Sequence, residues 1–234
     1  LEAYQNLLST PQYDYKYGDV LATDTNELSA ETVVYGNIYL MGEDFDINVT
    51  AVLGNIYVMG NNISITSKEV TGNIYAMGKD IKIKAMVDTA IYVMGEDIEL
   101  DAQTYHLYAM GNTITLGENS QVVVDVRAAG KDIKINGLVG NNIYTSCENL
   151  YIGDSATIYG TTIEYSTNAD VPETVKDKLV KVENDVTTVV DPTVAERVGN
   201  FFKSFALAAN IVLTIVLAVL VVLTMKKSDI YKTD

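Results

Sequence analysis

The chain has 234 residues, with 31 acidic against 16 basic side chains and a formal net charge of −15. That balance argues against nucleic acid as a partner, because neutralising phosphates takes clustered Lys and Arg. It also argues against broad electrostatic docking on an anionic lipid surface, so any membrane contact must be hydrophobic.

Residues Leu1–Ala30 precede any clear repeat. The stretch YQNLLST reads as the start of a short helix, and YDYKYGDVLATD is rich in Tyr and Asp. Residues 1–30 are expected to cap the first rung of the repeat region, because an open rung is an unpaired sheet edge.

Between residues 31 and 166 the chain repeats itself. GNIYLMG (Gly36 to Gly42) recurs as GNIYVMG and GNIYAMG, then as the weaker copies AIYVMG, HLYAMG and VRAAG. The last copy, IYTSC, places Cys147 where the others have Gly, and the steps between copies are 18, 18, 17, 16, 19 and 17 residues. After each copy comes a phrase in which apolar and polar residues alternate: EDFDINV, NNISITS, KDIKIKA, EDIELDA, NTITLGE, KDIKING and ENLYIGD. Period two marks a strand with one buried face. A looser stretch carries Val52, Val70, Val87 and Val139 into the next copy.

Each period is too short for a helix plus a strand, and it cannot bury its own apolar side. Stacking the copies buries a continuous column and pairs every strand with its neighbours above and below. The expected fold is all-β: a single-stranded β-helix, or β-solenoid, of about seven rungs of 16–19 residues, spaced ~4.8 Å apart. Three inward columns follow from the alternation. One is Ile38, Ile56, Ile74, Ile91, Leu107, Val126 and Ile143. The next is Leu40, Val58, Ala76, Val93, Ala109 and Ala128. The third is Ile47, Ile65, Ile83, Leu100, Leu116, Ile135 and Ile152.

The same parity turns Tyr39, Tyr57, Tyr75, Tyr92, Tyr108 and Tyr144 outward, beside Met41, Met59, Met77, Met94 and Met110. These eleven residues are the candidate interaction face, since monomers rarely leave such an apolar-aromatic strip uncovered. Three uses stay open: ring stacking that serves only the fold, cover by the chain's own ends, or contact with another molecule.

After residue 166 the pattern changes. Residues 167–203 read as a linker or stalk with a helix starting near Pro192. Residues 204–225 read as a transmembrane α-helix. Its core, Phe205–Met225, contains no charged residue over 21 positions, enough to span ~30 Å of hydrocarbon. Lys226 and Lys227 come next, at the start of the tail 226–234. The positive-inside rule then gives a single-pass protein of the cell membrane, with a cytoplasmic C-terminus and an extracytoplasmic β-helix.

Residues that carry chemistry are sparse. Any Ser-His-Asp or Cys-His arrangement must use His106, which sits at the start of a rung and reads as a turn residue. Cys147 cannot form an intramolecular disulfide and reads as a small, half-buried turn residue. The column Asp44, Asn62, Asp80, Asp97, Asp132 and Asn149 is read as turn-forming, although stacked carboxylates are also a calcium-binding chemistry. Hexapeptide acyltransferases share the eighteen-residue turn but want an apolar residue every six positions. Here Ile56, Ile63, Val70 and Ile74 are spaced 7, 7 and 4. No catalytic residue, metal or cofactor is expected.

The repeat and the segment GNNIYTSCENLYIGDSATIYGTTIEY (Gly140 to Tyr165) resemble the bactofilins, the polymer-forming cytoskeletal proteins of bacteria. The spanning segment points to a membrane-bound branch of that group. The resemblance implies a non-enzymatic, self-associating scaffold at the bacterial cell envelope, with membrane lipid held through 205–225. The alternative is a tethered binding module whose Tyr/Met face docks a protein or an envelope polymer.

Overall fold

The computed structural model describes residues 12–182, which fall in one compact unit. The transmembrane reading of 204–225, the stalk beyond residue 182, the tail, and the short helix read near the N-terminus lie outside the described residues. Among the described residues no helix is long and apolar enough to cross a membrane.

The elements run in order along a coil. β1 (Asp14–Tyr17) and β2 (Val20–Ala22) make the first rung, followed by β3 (Thr32–Tyr35) and β4 (Ile38–Met41). β5 (Asp44–Val52), β6 (Ile56–Met59), β7 (Asn62–Val70) and β8 (Ile74–Met77) continue it. The long strands β9 (Asp80–Leu100) and β10 (Gln103–Leu116) run round corners without a break, and β11 (Gln121–Val122) comes after them. Next come β12 (Val126–Ile135), β13 (Leu138–Val139), β14 (Ile143–Ile152) and β15 (Thr157–Ile158). β16 (Ile163–Tyr165), β17 (Asn168–Asp170), a 3₁₀ turn (Glu173–Lys178) and β18 (Leu179–Lys181) close the stack. Every pairing is parallel and joins a strand to its counterpart one turn away, as with Ile38 to Ile56 to Ile74 to Ile91.

The result is a parallel β-solenoid of about nine rungs. The expected count of about seven is too low because both ends carry rungs without the repeat phrase. At the N-terminal end Val20, Leu21 and Ala22 pair with Ile38, Tyr39 and Leu40, so the segment read as a cap covers the next rung by becoming one. At the C-terminal end Asn168–Asp170 pair with Asn149–Tyr151, and Leu179–Lys181 pair with Ile163–Tyr165. The stack therefore runs past residue 166, and part of the segment read as linker belongs to it.

The three inward columns are where the alternation places them, and every member is buried. A fourth column, Phe45, Ile63, Ile81, Ile98, Ile114, Ile133 and Leu150, packs beside Ile47 and its successors. Each buried Ile or Leu contributes ~1.5–3 kcal/mol relative to exposure. Some inward places are polar: Thr145 follows Ala128 in the second column, and Thr104 takes the position of Val87, its hydroxyl 3.3 Å from the Thr89 carbonyl and 3.2 Å from that of His106.

The Gly-Asn pair that opens the Tyr strands has a stacking role. Asn37 Oδ1 accepts from the Asn55 backbone N–H at 2.8 Å and from its Nδ2 at 3.0 Å, and Asn55 Oδ1 does the same for Asn73. Asp19 starts this ladder and the Thr89 hydroxyl ends it. The preceding Gly must be small: a Cβ on Gly54 would lie 2.3 Å from the Gly36 carbonyl oxygen.

Candidate functional site

The Tyr/Met face is built by β4, β6 and β8 and by the matching stretches of β9 and β10. Each is a short strand whose Ile and Leu, Val or Ala point in, which leaves the Tyr and Met between them pointing out. Register brings Tyr39, Tyr57, Tyr75, Tyr92 and Tyr108 into one column and Met41, Met59, Met77, Met94 and Met110 into the next. The five Tyr rings stack with centroids 4.8–5.0 Å apart and interplanar angles of 1–9°. Each such pair adds ~0.5–1.5 kcal/mol beyond the area it buries.

The rings hide one another's faces. Four of the five Tyr are half-buried, and Tyr108 is only 6% exposed, which departs from a fully outward column. What reaches solvent is a row of ring edges and hydroxyls, with Met41 and Met110 exposed beside it. Burial and stacking act on the phenols. The Tyr75 hydroxyl is pushed up to about 12 by burial first and then by Tyr57 and Tyr92. Tyr57 and Tyr39 are raised for the same leading reason, with Asp19 contributing to both.

Tyr144 does not join the stack. Arg127 occupies the Tyr position on the intervening rung, aligned with Tyr108 below and Tyr144 above. Its guanidinium carbon lies 4.3 Å from the Tyr144 ring centroid, and it stands 3.9 Å from Asp125 Oδ2. Glu164 continues the column after Tyr144. Burial raises its carboxyl above the ordinary range, and Arg127 opposes that shift. The sequence signal for Arg127 is its place in VRAAG, the position that holds Tyr in the other copies.

Cys147 corrects its reading as a half-buried turn residue. It lies inside β14, is 5% exposed, and aligns with Gly130. Its Sγ stands 3.5 Å from Thr145 Oγ1, and burial pushes the thiol up, away from the reactive thiolate. His106 also lies within a strand, β10, at a register irregularity opposite Ala90, with its ring 6.2 Å from that of Tyr108.

The Asp/Asn column is a hydrogen-bonded ladder in two places: Asn62 Nδ2 donates to Asp44 and Asn149 Nδ2 donates to Asp132, both at 2.6 Å. Thr113 interrupts it between Asp97 and Asp132. Among the described residues no three His, Cys, Asp or Glu side chains gather in a metal-holding group. No family model, curated protein or solved structure matches the chain.

Proposed function

We propose that this chain is a membrane-anchored scaffold of the bactofilin-like kind, which assembles through its β-solenoid at the bacterial cell envelope and is held there by Phe205–Met225. One observation carries the reading. The Tyr/Met face repeats the same side chains at the same spacing over five rungs, so its ring stacking alone does not exhaust it: the Met column beside the rings is left as apolar surface.

The way the rings are used favours a protein surface over an envelope polymer. A sugar stacks on an open aromatic face, and here the inner ring faces are taken by neighbouring rings. A second solenoid shares the rung spacing and presents edges, hydroxyls and thioethers at the same intervals. Tyr and Met are also favoured in interface cores. The uncharged segment and the lysines directly after it support anchoring with the tail inside.

Sedimentation of the full chain in detergent tests the assembly: large, concentration-dependent species are expected, and a monodisperse monomer would favour the tethered binding module instead. Labelling of Asp234→Cys in a Cys147→Ser background tests the anchor. The tail is expected to resist an impermeant reagent in intact cells, and ready labelling would overturn the orientation.

A further inference from the structure

One residue past the Met column, beyond the glycines at the corner where the chain turns from the Tyr/Met face to the next, lies a column of seven exposed residues: Glu43, Asn61, Lys79, Glu96, Asn112, Lys131 and Glu148. Register stacks them one per rung. The Glu43 carbonyl accepts from the N–H groups of Asn61 and Asn62, that of Asn61 from Lys79 and Asp80, and that of Lys79 from Glu96 and Asp97. Asn112, Lys131 and Glu148 come next, between paired neighbours on either side. The order is therefore acid, amide, base, acid, amide, base, acid, a charge pattern with a period of three rungs, or ~14 Å.

We propose that two copies of this chain pair antiparallel through the Tyr/Met face and this column, about a twofold axis that passes between the Lys79 and Glu96 rungs. The proposal rests on the self-assembly reading above and gives it a geometry. A twofold axis in the plane of the interface, across the solenoid, sets each column against the same column running the other way. Glu43 then faces Lys131 of the second copy, Asn61 faces Asn112, and Lys79 faces Glu96. The other three contacts repeat these by symmetry. From Glu43 to Lys131 every charge therefore meets its opposite, and each amide meets an amide. A parallel copy in the same register would set Glu against Glu and Lys against Lys.

The neighbouring columns agree with the same axis. Met77 faces Met94, Met59 faces Met110, and Met41 faces the small Ala129. Tyr75 faces Tyr92, Tyr57 faces Tyr108, and Tyr39 faces Arg127, an aromatic-to-guanidinium pair. The aspartates Asp44, Asp80, Asp97 and Asp132 belong to the strand segments beyond the corner, on the next face. Opposed charges at such a boundary select orientation and register more than they add affinity.

The test reverses charges that are exposed, so the fold should be unaffected. In the full chain in detergent, Lys79→Glu with Lys131→Glu sets four acid pairs face to face, and Glu43→Lys with Glu96→Lys sets four basic pairs. Each double variant should weaken association by about tenfold or more by sedimentation, and an equimolar mixture should restore it. On a Cys147→Ser background, Asn61→Cys and Asn112→Cys should form a disulfide only when mixed, since identical positions lie three rungs apart, beyond disulfide reach. Double variants that associate like the wild type, or a mixture that fails to recover, would overturn this pairing and leave self-assembly standing. A wild-type chain that stays monomeric would remove both.

Discussion

The solenoid has two halves that share a core and differ outside it. From Ile38 to Met110 the inner columns are chiefly Ile, Leu, Val and Ala, with Phe45 and Thr104 among the exceptions, and the outer Tyr and Met columns are unbroken. From Val126 to Tyr165 the inner columns continue, but Arg127 replaces Tyr, Ala129 and Ser146 replace Met, and Cys147 replaces Gly. Packing alone requires the inner regularity, because each rung must fit the one below it. It does not require an outward Met on five successive rungs. The lower half therefore has an outer regularity that packing does not require and that the upper half does not share.

The largest expected effect treats the halves alike. Ile81→Asp in the lower half and Ile135→Asp in the upper each bury a charge without a partner, at a cost of several kcal/mol, and both should unfold the chain in denaturant titrations. Lys82→Asp, between Ile81 and Ile83, is exposed and loses only a 3.0 Å surface pair with Glu99, worth up to ~1 kcal/mol. Equal sensitivity at Ile81, Lys82 and Ile83 would break the alternation on which both halves rest.

The halves separate at the glycine corner. A Cβ on Gly130 would lie 2.3 Å from the Gly111 carbonyl oxygen. Gly130→Ala should therefore cost ~1–3 kcal/mol of overpacking. Cys147→Ala, one rung higher in the same column, should cost less than ~1 kcal/mol, because Thr145 keeps its hydroxyl bond to the Glu164 carbonyl. Thermal melts of the two variants compare them, and a larger loss at Cys147 would contradict this account of the corner.

Arg127→Tyr sharpens the comparison from the other side. It would continue the ring column from Tyr108 to Tyr144, trading a cation–π contact for two stacked pairs of ~0.5–1.5 kcal/mol each. Stability should hold or rise slightly, and a clear drop in melting temperature would show that the column needs the charge.

The smallest effect is in pH. A free tyrosine titrates near ~10, and Tyr75 in the fold is pushed up to about 12. The unfolded chain then loses this proton first. The associated stability is present below pH ~10 and is lost as pH rises through the folded value. Tyr75→Phe keeps the stack and removes the titration, so its denaturation midpoint should fall less between those limits than that of the wild type. Identical profiles would remove Tyr75 as a contributor.

The core was legible in the sequence because period two and a step near 18 residues name the buried side chains directly. Ile38 and Ile65 need no coordinates to be placed inward. The end rungs were not legible: Asp14–Tyr17 and Leu179–Lys181 lack the Tyr-strand phrase, and their place in the stack is set by pairing with Thr32–Tyr35 and Ile163–Tyr165. The Tyr column was legible as a column, yet not its burial, which comes from ring contacts between rungs. Arg127 was legible by position, as the residue of VRAAG that stands where the other copies hold Tyr, but its contact with the Tyr144 ring was not. The charge pattern of Glu43 to Glu148 stands in the sequence as the first letters of successive phrases, but its meaning needs the rungs stacked.

The most direct test of the account combines two readings on one triple variant of the full chain, Tyr57→Ser, Tyr75→Ser and Tyr92→Ser. It removes all four stacked pairs from the Tyr column while leaving every inward residue in place. The account predicts a lower melting temperature, a β-rich circular dichroism spectrum retained below it, and loss of the large species in sedimentation. A variant that melts earlier but assembles to the same size would confine the Tyr column to the fold and contradict its role as a contact surface.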